Sequence, residues 1–252
     1  MTPTTGSLEA RIGTLAEWMF EAKRLVVFTG AGISTESGLP DFRGPDGLWT
    51  RKDKGLPPKP AEKDWPSVDP NEGHLAIVEL QTLGRLDYLI SQNVDSLHLK
   101  SGIRPELLAE LHGNITLLRC ASCQKTHPNS SGLDRCVCGG RLGPSVVHFG
   151  DTLPFEDLNA SYEHSRGCDL FIVLGSSLFV SPAADMPRVA MEAGAKLVII
   201  NQEPTPFDRA AHLLFKEKIG EVFPAAVRKL KESMSRSSRT PEEKGWQVPE
   251  GS

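Results

Sequence analysis

The chain has 252 residues, a length that predicts one large domain or a large domain with a small insert, and its 28 Lys and Arg against 32 Asp and Glu give a net charge of −4. This mildly acidic balance gives no general reason to expect nucleic acid as a partner, and no apolar run approaches the ~18–20 residues of a membrane span. No charged segment followed by an apolar one opens the sequence, so we expect no secretory signal, a reducing intracellular compartment, and five cysteines used for metal or chemistry rather than disulfides.

Helices and apolar strands alternate along the chain. Ser7 is placed to cap a helix, and residues 75–86 and 182–193 are predicted as further helices. Apolar, β-rich runs predict strands at residues 25–29, 88–91, 170–174 and 196–200. Near-continuous apolar strands separated by helices are typical of an α/β fold with a Rossmann-like parallel sheet and helices on both faces.

Each predicted strand ends in glycine or small polar residues: Gly30-Ala31-Gly32, Gln92-Asn93, Gly175-Ser176-Ser177 and Asn201. Ligands bind outside the carboxyl ends of parallel strands, so we expect these four clusters to converge on one site. The first cluster does not complete the G-x-G-x-x-G fingerprint, because Thr35 occupies the place of the third glycine. Taken alone, it is weak evidence for a phosphate-binding loop, and a tight turn is the alternative.

The loop at residues 30–44 is too irregular for core structure, and its Asp41, Phe42 and Arg43 are typical of ligand contacts. Gln92-Asn93-Val94-Asp95 offers amide and carboxylate groups that suit hydroxyls and a carboxamide, although Asn and Asp also favour turns.

His112 is the candidate general base. It follows an apolar stretch at residues 107–111 that we predict to be helical. A structural role is the alternative for this side chain, and His98 and His148 are rival candidates.

Two close pairs of cysteines interrupt the alternation of helices and strands. Cys120-x2-Cys123 and Cys136-x-Cys138 are separated by twelve residues, and four thiolates in two pairs fit a tetrahedral structural Zn²⁺. Unpaired thiols and a redox pair are the alternatives. The remaining Cys168 is predicted to be a buried core thiol. We therefore predict a discontinuous Rossmann-like domain at residues 8–118 and 143–234, a small inserted zinc-ribbon module at 119–142, and a disordered tail at 235–252.

Together these segments resemble the sirtuin family. The resemblance runs from about residue 25 to residue 230 and rests on these motifs in the family's order: GAGISTESGLPDFRG, SQNVD, LHG, the two cysteine pairs, VVHFGDTLP, GSSLFVSPA and IIN. The forms QNVDSLHLKSG, VVHFGD and GSSL are similar to the branch that contains the nuclear, chromatin-associated sirtuins.

The resemblance implies roles for individual residues. It implies that His112 and Asn93 are catalytic, with His112 as the base, and that the four paired cysteines are zinc ligands. Implied NAD contacts are Gly30, Ala31, Gly32, Ile33, Asp41, Phe42, Arg43, Gln92, Asn93, Asp95, Gly175, Ser176, Ser177, Asn201 and Glu203. Implied substrate contacts, in two extended segments that enclose a peptide by strand addition, are Val147, His148, Phe149, Gly150, Phe179 and Val180.

The resemblance further implies an enzyme, an NAD-dependent protein-lysine deacylase that releases nicotinamide and O-acyl-ADP-ribose. NAD is then the co-substrate, one zinc ion is structural, and an acyl-lysine protein or peptide is the partner. No Tyr-x-x-Arg pair follows the GAG motif, which favours a neutral acyl group. Protein mono-ADP-ribosyl transfer from the same site is the main alternative, followed by an NAD-sensing binding module and a hydride-transfer dehydrogenase. We expect a cytoplasmic location, with the nucleus left open.

Overall fold

The computed structural model describes residues 6–57 and 65–237 of the chain. Its helices and strands are, in chain order, α1 (Leu8–Glu21), β1 (Leu25–Thr29), α2 (Leu48–Asp53), α3 (Glu72–Thr82), β2 (Leu86–Ser91), α4 (Leu97–Ser101), β3 (Leu108–Glu110), β4 (Leu117–Cys120), β5 (Thr126–Pro128), β6 (Leu142–Pro144), α5 (Phe155–Gly167), β7 (Leu170–Leu174), α6 (Met186–Glu192), β8 (Lys196–Ile200), β9 (Leu213–Phe215) and α7 (Ile219–Ser237).

Six parallel strands form the main sheet, in the order β3-β2-β1-β7-β8-β9. The chain builds outward from β1 to β3 on one side and then returns to place β7 to β9 on the other. The order therefore reverses between β1 and β7, and such a reversal opens a ligand crevice at the carboxyl edge. The predicted Rossmann-like α/β class is confirmed.

Side chains of the strands are buried on both faces of this sheet. Val27 and Ile172 face a core completed by α1, α3 and α7, whereas Val26, Phe28 and Phe171 face a second core with α5 and α6. Fully burying such a side chain contributes ~1.5–3 kcal/mol. Burial on both faces explains why these strands are nearly continuous apolar runs instead of alternating.

Helix α1 is capped as predicted, since the Ala10 N–H donates to Ser7 Oγ at 3.2 Å. The next long helix starts three residues earlier than predicted. Asn71 Oδ1 accepts the N–H of Gly73 at 2.9 Å, which satisfies the first turn and starts α3 at Glu72. Gly84, at a φ of +66°, separates this helix from β2.

Three further predictions differ from the structure. The apolar stretch at 107–111 forms strand β3, which pairs with β2, and is not a helix. The helix predicted over 182–193 is split into a 3-10 turn at Ala183–Asp185 followed by α6. Helix α7 continues to Ser237, so the predicted tail starts too early, and its residues 238–252 lie outside the described residues.

A second, antiparallel sheet carries the cysteines. Its three strands have the order β5-β4-β6. Along the chain they come between β3 and β7 of the main sheet, where an insert is predicted. None of the helices in the described ranges has both the length and the apolar character to cross a bilayer.

Candidate active site

A cavity of about 930 Å³ lies at the carboxyl edge of the main sheet, where the strand order reverses. All four predicted strand ends reach it, through Gly30 after β1, Gln92 after β2, Gly175 after β7 and Asn201 after β8. A fifth strand end contributes as well, because His112 follows β3. The predicted convergence is confirmed.

Of the predicted site residues, those lining this cavity are Gly30, Ala31, Gly32, Asp41, Phe42, Arg43, Gln92, Asn93, Asp95, His112, Val147, His148, Phe149, Gly150, Gly175, Ser176, Ser177, Phe179, Val180, Asn201 and Glu203. Ile33 is the exception. Its side chain is fully buried in the core, its N–H donates to the Gly30 carbonyl at 3.1 Å, and its carbonyl accepts from Asn71 Nδ2 at 2.7 Å. Ile33 does not line the cavity, so the structure does not support this predicted contact.

Two glycine-bearing loops meet backbone to backbone beside the cavity. The Gly32 N–H donates to the Gly175 carbonyl at 2.8 Å. A Cβ at Gly30 would lie 2.8 Å from Gly175 O, and one at Gly32 would lie 2.7 Å from Gly175 Cα. The close contact between the loops therefore requires glycine at these positions. This contact joins the residues that follow β1 to those that follow β7.

Replacing Gly175 by alanine should destabilise the protein more than a left-handed glycine alone explains. Gly175 has a φ of +65°, and a Cβ there would lie 2.3 Å from Ile33 N. Gly84 has a φ of +66° with nothing within 4 Å, so Gly84→Ala is the matched control. We expect Gly84→Ala to lower the free energy of unfolding by ~1–2 kcal/mol and Gly175→Ala by a further ~1–3 kcal/mol from overpacking, measured by urea denaturation. Equal losses in the two variants would show that the loops can separate without cost.

A buried polar group occupies the cavity wall after β2. Ser34 Oγ donates to Asp95 Oδ2 at 2.6 Å and accepts from Asn93 Nδ2 at 3.2 Å. Burial raises the pKa of Asp95, while the bonds from Ser34 and from the Leu97 N–H oppose that shift. Asn93 Oδ1 is buried and has no hydrogen-bond partner among the described residues. A lone buried acceptor costs ~1–3 kcal/mol, so this site suits a ligand that presents donors, such as a carboxamide or a ribose hydroxyl. The residues present therefore fit NAD.

A second layer of hydrogen bonds supports Asn93 from beneath. Its N–H donates to Ser91 Oγ at 3.1 Å, and the same oxygen accepts from Thr29 Oγ1 at 3.0 Å. Because the Thr29 hydroxyl donates to Ser91, it accepts from His98 Nε2, which lies 2.9 Å away. His98 is only 2% exposed, and burial holds its pKa well below the usual value. His98 is a structural residue and not the base.

His112 has the geometry of a general base. Its Nδ1 lies 2.9 Å from the Gln92 carbonyl oxygen, which can only accept, so Nδ1 carries the proton and Nε2 keeps its lone pair. Burial lowers the pKa of His112, and the bond to Gln92 opposes that shift. The ring is therefore neutral near pH 7 and can accept a proton at Nε2. The rival His148 also lines the cavity but is exposed, in a turn in which its N–H donates to Asp151 Oδ2.

Both predicted peptide segments line the cavity. The Val147 N–H donates to the His112 carbonyl at 2.9 Å, which fixes the start of the first segment. The prediction that this segment is extended as far as Gly150 is wrong, because the Asp151 N–H donates to the His148 carbonyl and Gly150 has a φ of +93°. Phe149 and Phe179 are exposed at the mouth.

Several lining residues were not found from the sequence. Ser34 lies within the irregular loop at residues 30–44, directly after the GAG motif and Ile33, and this position is the only sequence signal for it. No sequence signal indicates Trp49, because its place at the cavity depends on contacts with distant segments.

The four paired cysteines form one cluster. All their Sγ atoms lie within 4.8 Å of one another, with Cys120 and Cys138 at 3.5 Å and Cys123 and Cys136 at 3.6 Å. Zn–S bonds of ~2.3 Å in a tetrahedron place the sulfurs ~3.8 Å apart, so the cluster fits one zinc ion. A Cβ at Gly140 would lie 2.5 Å from Cys120 Sγ, which explains the glycine beside the tight pair.

Cys168 is buried outside this cluster, as predicted, and its Sγ donates to the Ser165 carbonyl at 3.2 Å. Burial raises the pKa of its thiol to about 12.

Comparison with known proteins gives one family. The model of the Sir2 family matches residues 30–61 and 58–182. NAD-dependent protein deacetylase 1 of Bradyrhizobium diazoefficiens is 40% identical over 239 residues, covering 85% of this chain and 94% of that protein. NAD-dependent protein deacetylase SRT1 of Oryza sativa subsp. indica is 43% identical over 229 residues, covering 85% of this chain and 47% of that protein. The chain thus spans about half of the rice relative's length.

A solved structure of Sir2 with a p53 peptide and NAD⁺ matches with a TM-score of 0.68 and 33% identity, covering 88% of this chain and 98% of that one.

Proposed function

This chain belongs to the Sir2 family, and we propose that its cavity between β1 and β7 is where NAD is consumed to deacylate protein lysines. The protein is an NAD-dependent protein deacetylase, with NAD as co-substrate and one structural zinc ion. One observation carries the assignment of the site. A neutral histidine with a free Nε2 and a buried Asn93 with an unpartnered acceptor line the same cavity.

When bound, NAD supplies a ribose carbon whose leaving group is nicotinamide. Asn93 Oδ1 and the Asp95 carboxylate, which follow β2, would accept hydrogen bonds from donor groups of the bound NAD. His112 accepts a proton at Nε2 from a hydroxyl in the cavity, and the Gln92 carbonyl stabilises the imidazolium that results through Nδ1. Phe42, which lines the cavity, would shield the ribose carbon from water.

The proposed substrate is an acyl-lysine in a protein, lying between the segments that begin at Val147 and Phe179. Exposed aromatic side chains on both segments support this placement. The solved Sir2 complex with a p53 peptide supports a peptide substrate. Protein ADP-ribosyl transfer is not favoured, because the relatives are named as deacetylases and deacylases.

The proposed cellular location is the cytoplasm. Four unbridged thiols that fit zinc suit a reducing compartment. Imaging of a fluorescent fusion tests this, and a purely nuclear signal would overturn it.

In the first experiment, the purified chain is incubated with NAD and a panel of acyl-lysine peptides. Nicotinamide, deacylated peptide and O-acyl-ADP-ribose are then quantified by mass spectrometry. We expect nicotinamide release that depends on the peptide and matches deacylation one to one. Nicotinamide release without deacylation would instead indicate ADP-ribosyl transfer or hydrolysis of NAD.

The pH dependence of kcat/KM should report His112. Because burial lowers its pKa, the base is already neutral below the usual value of 6.5, and kcat/KM should rise with pH to a plateau with its midpoint below 6.5. Burial also raises the pKa of Glu110, two residues earlier, to about 7. Glu110→Gln separates the two titrations, since it should leave the lower midpoint in place. A single midpoint above 6.5 in that variant would contradict a desolvated base.

A further inference from the structure

Five side chains that line the cavity form a continuous series of aromatic and cation–π contacts, here named the aromatic clamp: Phe42, Arg43, Trp49, Phe149 and Phe179. The Trp49 ring lies 5.0 Å from the ring of Phe42 and 5.2 Å from that of Phe149, measured between centroids. The Arg43 guanidinium lies 4.7 Å from the centre of the Trp49 ring and 5.5 Å from that of Phe179. Trp49 is thus the member that contacts three of the others.

The clamp joins the side of the cavity that binds the dinucleotide to the side that binds the peptide. Phe42, Arg43 and Trp49 belong to the loop after β1 and to helix α2, whereas Phe149 and Phe179 belong to the two proposed peptide segments. No other set of ring contacts in the described part of the chain links these segments.

Backbone hydrogen bonds tie the dinucleotide side of the clamp together, and its helix is not buried in the core. The N–H groups of Leu48 and Trp49 donate to the carbonyls of Asp41 and Phe42, both at 2.9 Å, so α2 carries Phe42 with it. None of the six residues of α2 is buried. The Trp49 ring is therefore the direct contact between Phe42 and the peptide segment that carries Phe149.

The peptide side of the clamp is open to solvent. Phe149 is 79% exposed and Phe179 is 59% exposed. A peptide lying along these segments would cover both rings and remove water from the clamp, and cation–π and aromatic contacts are stronger when they are desolvated. Peptide binding would then hold α2 and Phe42 in place.

We propose that Trp49 is a positioning residue that couples peptide binding to the placement of Phe42 over the reacting ribose. The coupling favours cleavage of NAD when an acyl-lysine peptide is present and opposes its hydrolysis when none is. This inference rests on the proposed function of the cavity.

The kinetic test compares Trp49→Ala, Trp49→Phe and Trp18→Phe. Trp18 lies on α1, where its ring contacts Lys196 and not the cavity. In Trp49→Ala we expect the KM for NAD, measured with saturating acetylated peptide, to rise at least about tenfold, equal to ~1.4 kcal/mol. We also expect more than one nicotinamide released per deacylated peptide. Trp49→Phe, which keeps a ring in the clamp, should recover most of both properties, and Trp18→Phe should match the wild type.

A fluorescence measurement reads the same coupling without turnover. Acetylated peptide added to the wild-type protein loaded with ADP-ribose should change tryptophan emission, and this change should disappear in Trp49→Phe but persist in Trp18→Phe. No emission change in the wild type, or an unchanged KM and one-to-one stoichiometry in folded Trp49→Ala, would overturn the coupling. A wild type that neither releases nicotinamide nor deacylates peptide would instead overturn the proposed function.

Discussion

Replacing His112 by alanine should lower the rate of peptide deacylation at least about 10²-fold, the lower end of the range for a positioned general base. The side chain is held for this task by the Gln92 carbonyl, which accepts from Nδ1 at 2.9 Å and leaves Nε2 unprotonated. Burial lowers its pKa and so keeps the base form at neutral pH. His98 cannot replace it, because its Nε2 is bonded to Thr29 beneath the cavity. Steady-state turnover of an acetylated peptide, with the deacetylated peptide measured by mass spectrometry, gives the ratio of the wild-type rate to the variant rate.

The control for this variant is His164→Ala. His164 is also half-buried, but it packs on Tyr88 and contacts Asp87 away from the cavity. Turnover in this control should stay within a few-fold of the wild type. ADP-ribose should bind to His112→Ala with wild-type affinity, because the loss concerns proton transfer and not the binding of the dinucleotide. Near-normal deacylation by a folded His112→Ala protein would remove His112 from the mechanism.

The sequence predicted the central strands well because each is a short, almost wholly apolar run buried on both faces. The predicted limits at Leu25–Thr29, Leu170–Leu174 and Lys196–Ile200 are those of β1, β7 and β8. The residues directly after such strands must lie at one edge of a parallel sheet, which is why the strand ends could be grouped into one site without coordinates. The cysteine spacing predicted the zinc site for a related reason, because the four ligands of one ion must lie close together in space.

Elements that depend on distant contacts were not predicted. Strands β3 and β9 have three residues each, too few for a local signal, and form because they extend the edges of an existing sheet. Helix α2 buries none of its residues and gives no apolar stripe.

The detailed roles of site residues were hidden from the sequence for the same reason. Ile33 belongs to the matching motif, yet its side chain points into the core and its backbone groups are already paired. Trp49 reaches the cavity only because Phe42 and Phe149, more than a hundred positions apart in the chain, meet on either side of it.

Removing zinc should unfold the small module while the main sheet stays folded. The buried apolar cluster of the module consists of Cys120, Cys136 and Leu142, and its strands have three or four residues, so packing alone cannot stabilise it. Structural zinc contributes on the order of 10–16 kcal/mol in small zinc-finger peptides, and here it supplies most of what holds the module. After chelation we expect amide hydrogens at residues 117–144 to exchange freely, while those of β1 and β7 stay protected, and readdition of zinc should reverse the change.

Single cysteine variants separate the effect of the metal from that of the chelator. Cys120→Ser should lose the bound zinc and show the same exchange pattern, whereas Cys168→Ser, which alters the thiol outside the cluster, should retain one zinc ion per chain. Deacylation should fall in Cys120→Ser even though no catalytic group is removed. The module is joined to the site through the Ser145 N–H, which donates to the Leu117 carbonyl at 3.1 Å, and through Ser145 Oγ, which donates to the Asn114 carbonyl at 2.7 Å, two residues after His112. If the zinc-free protein kept native exchange at 117–144 and yet lost its activity, the metal would act in the chemistry and not as a scaffold.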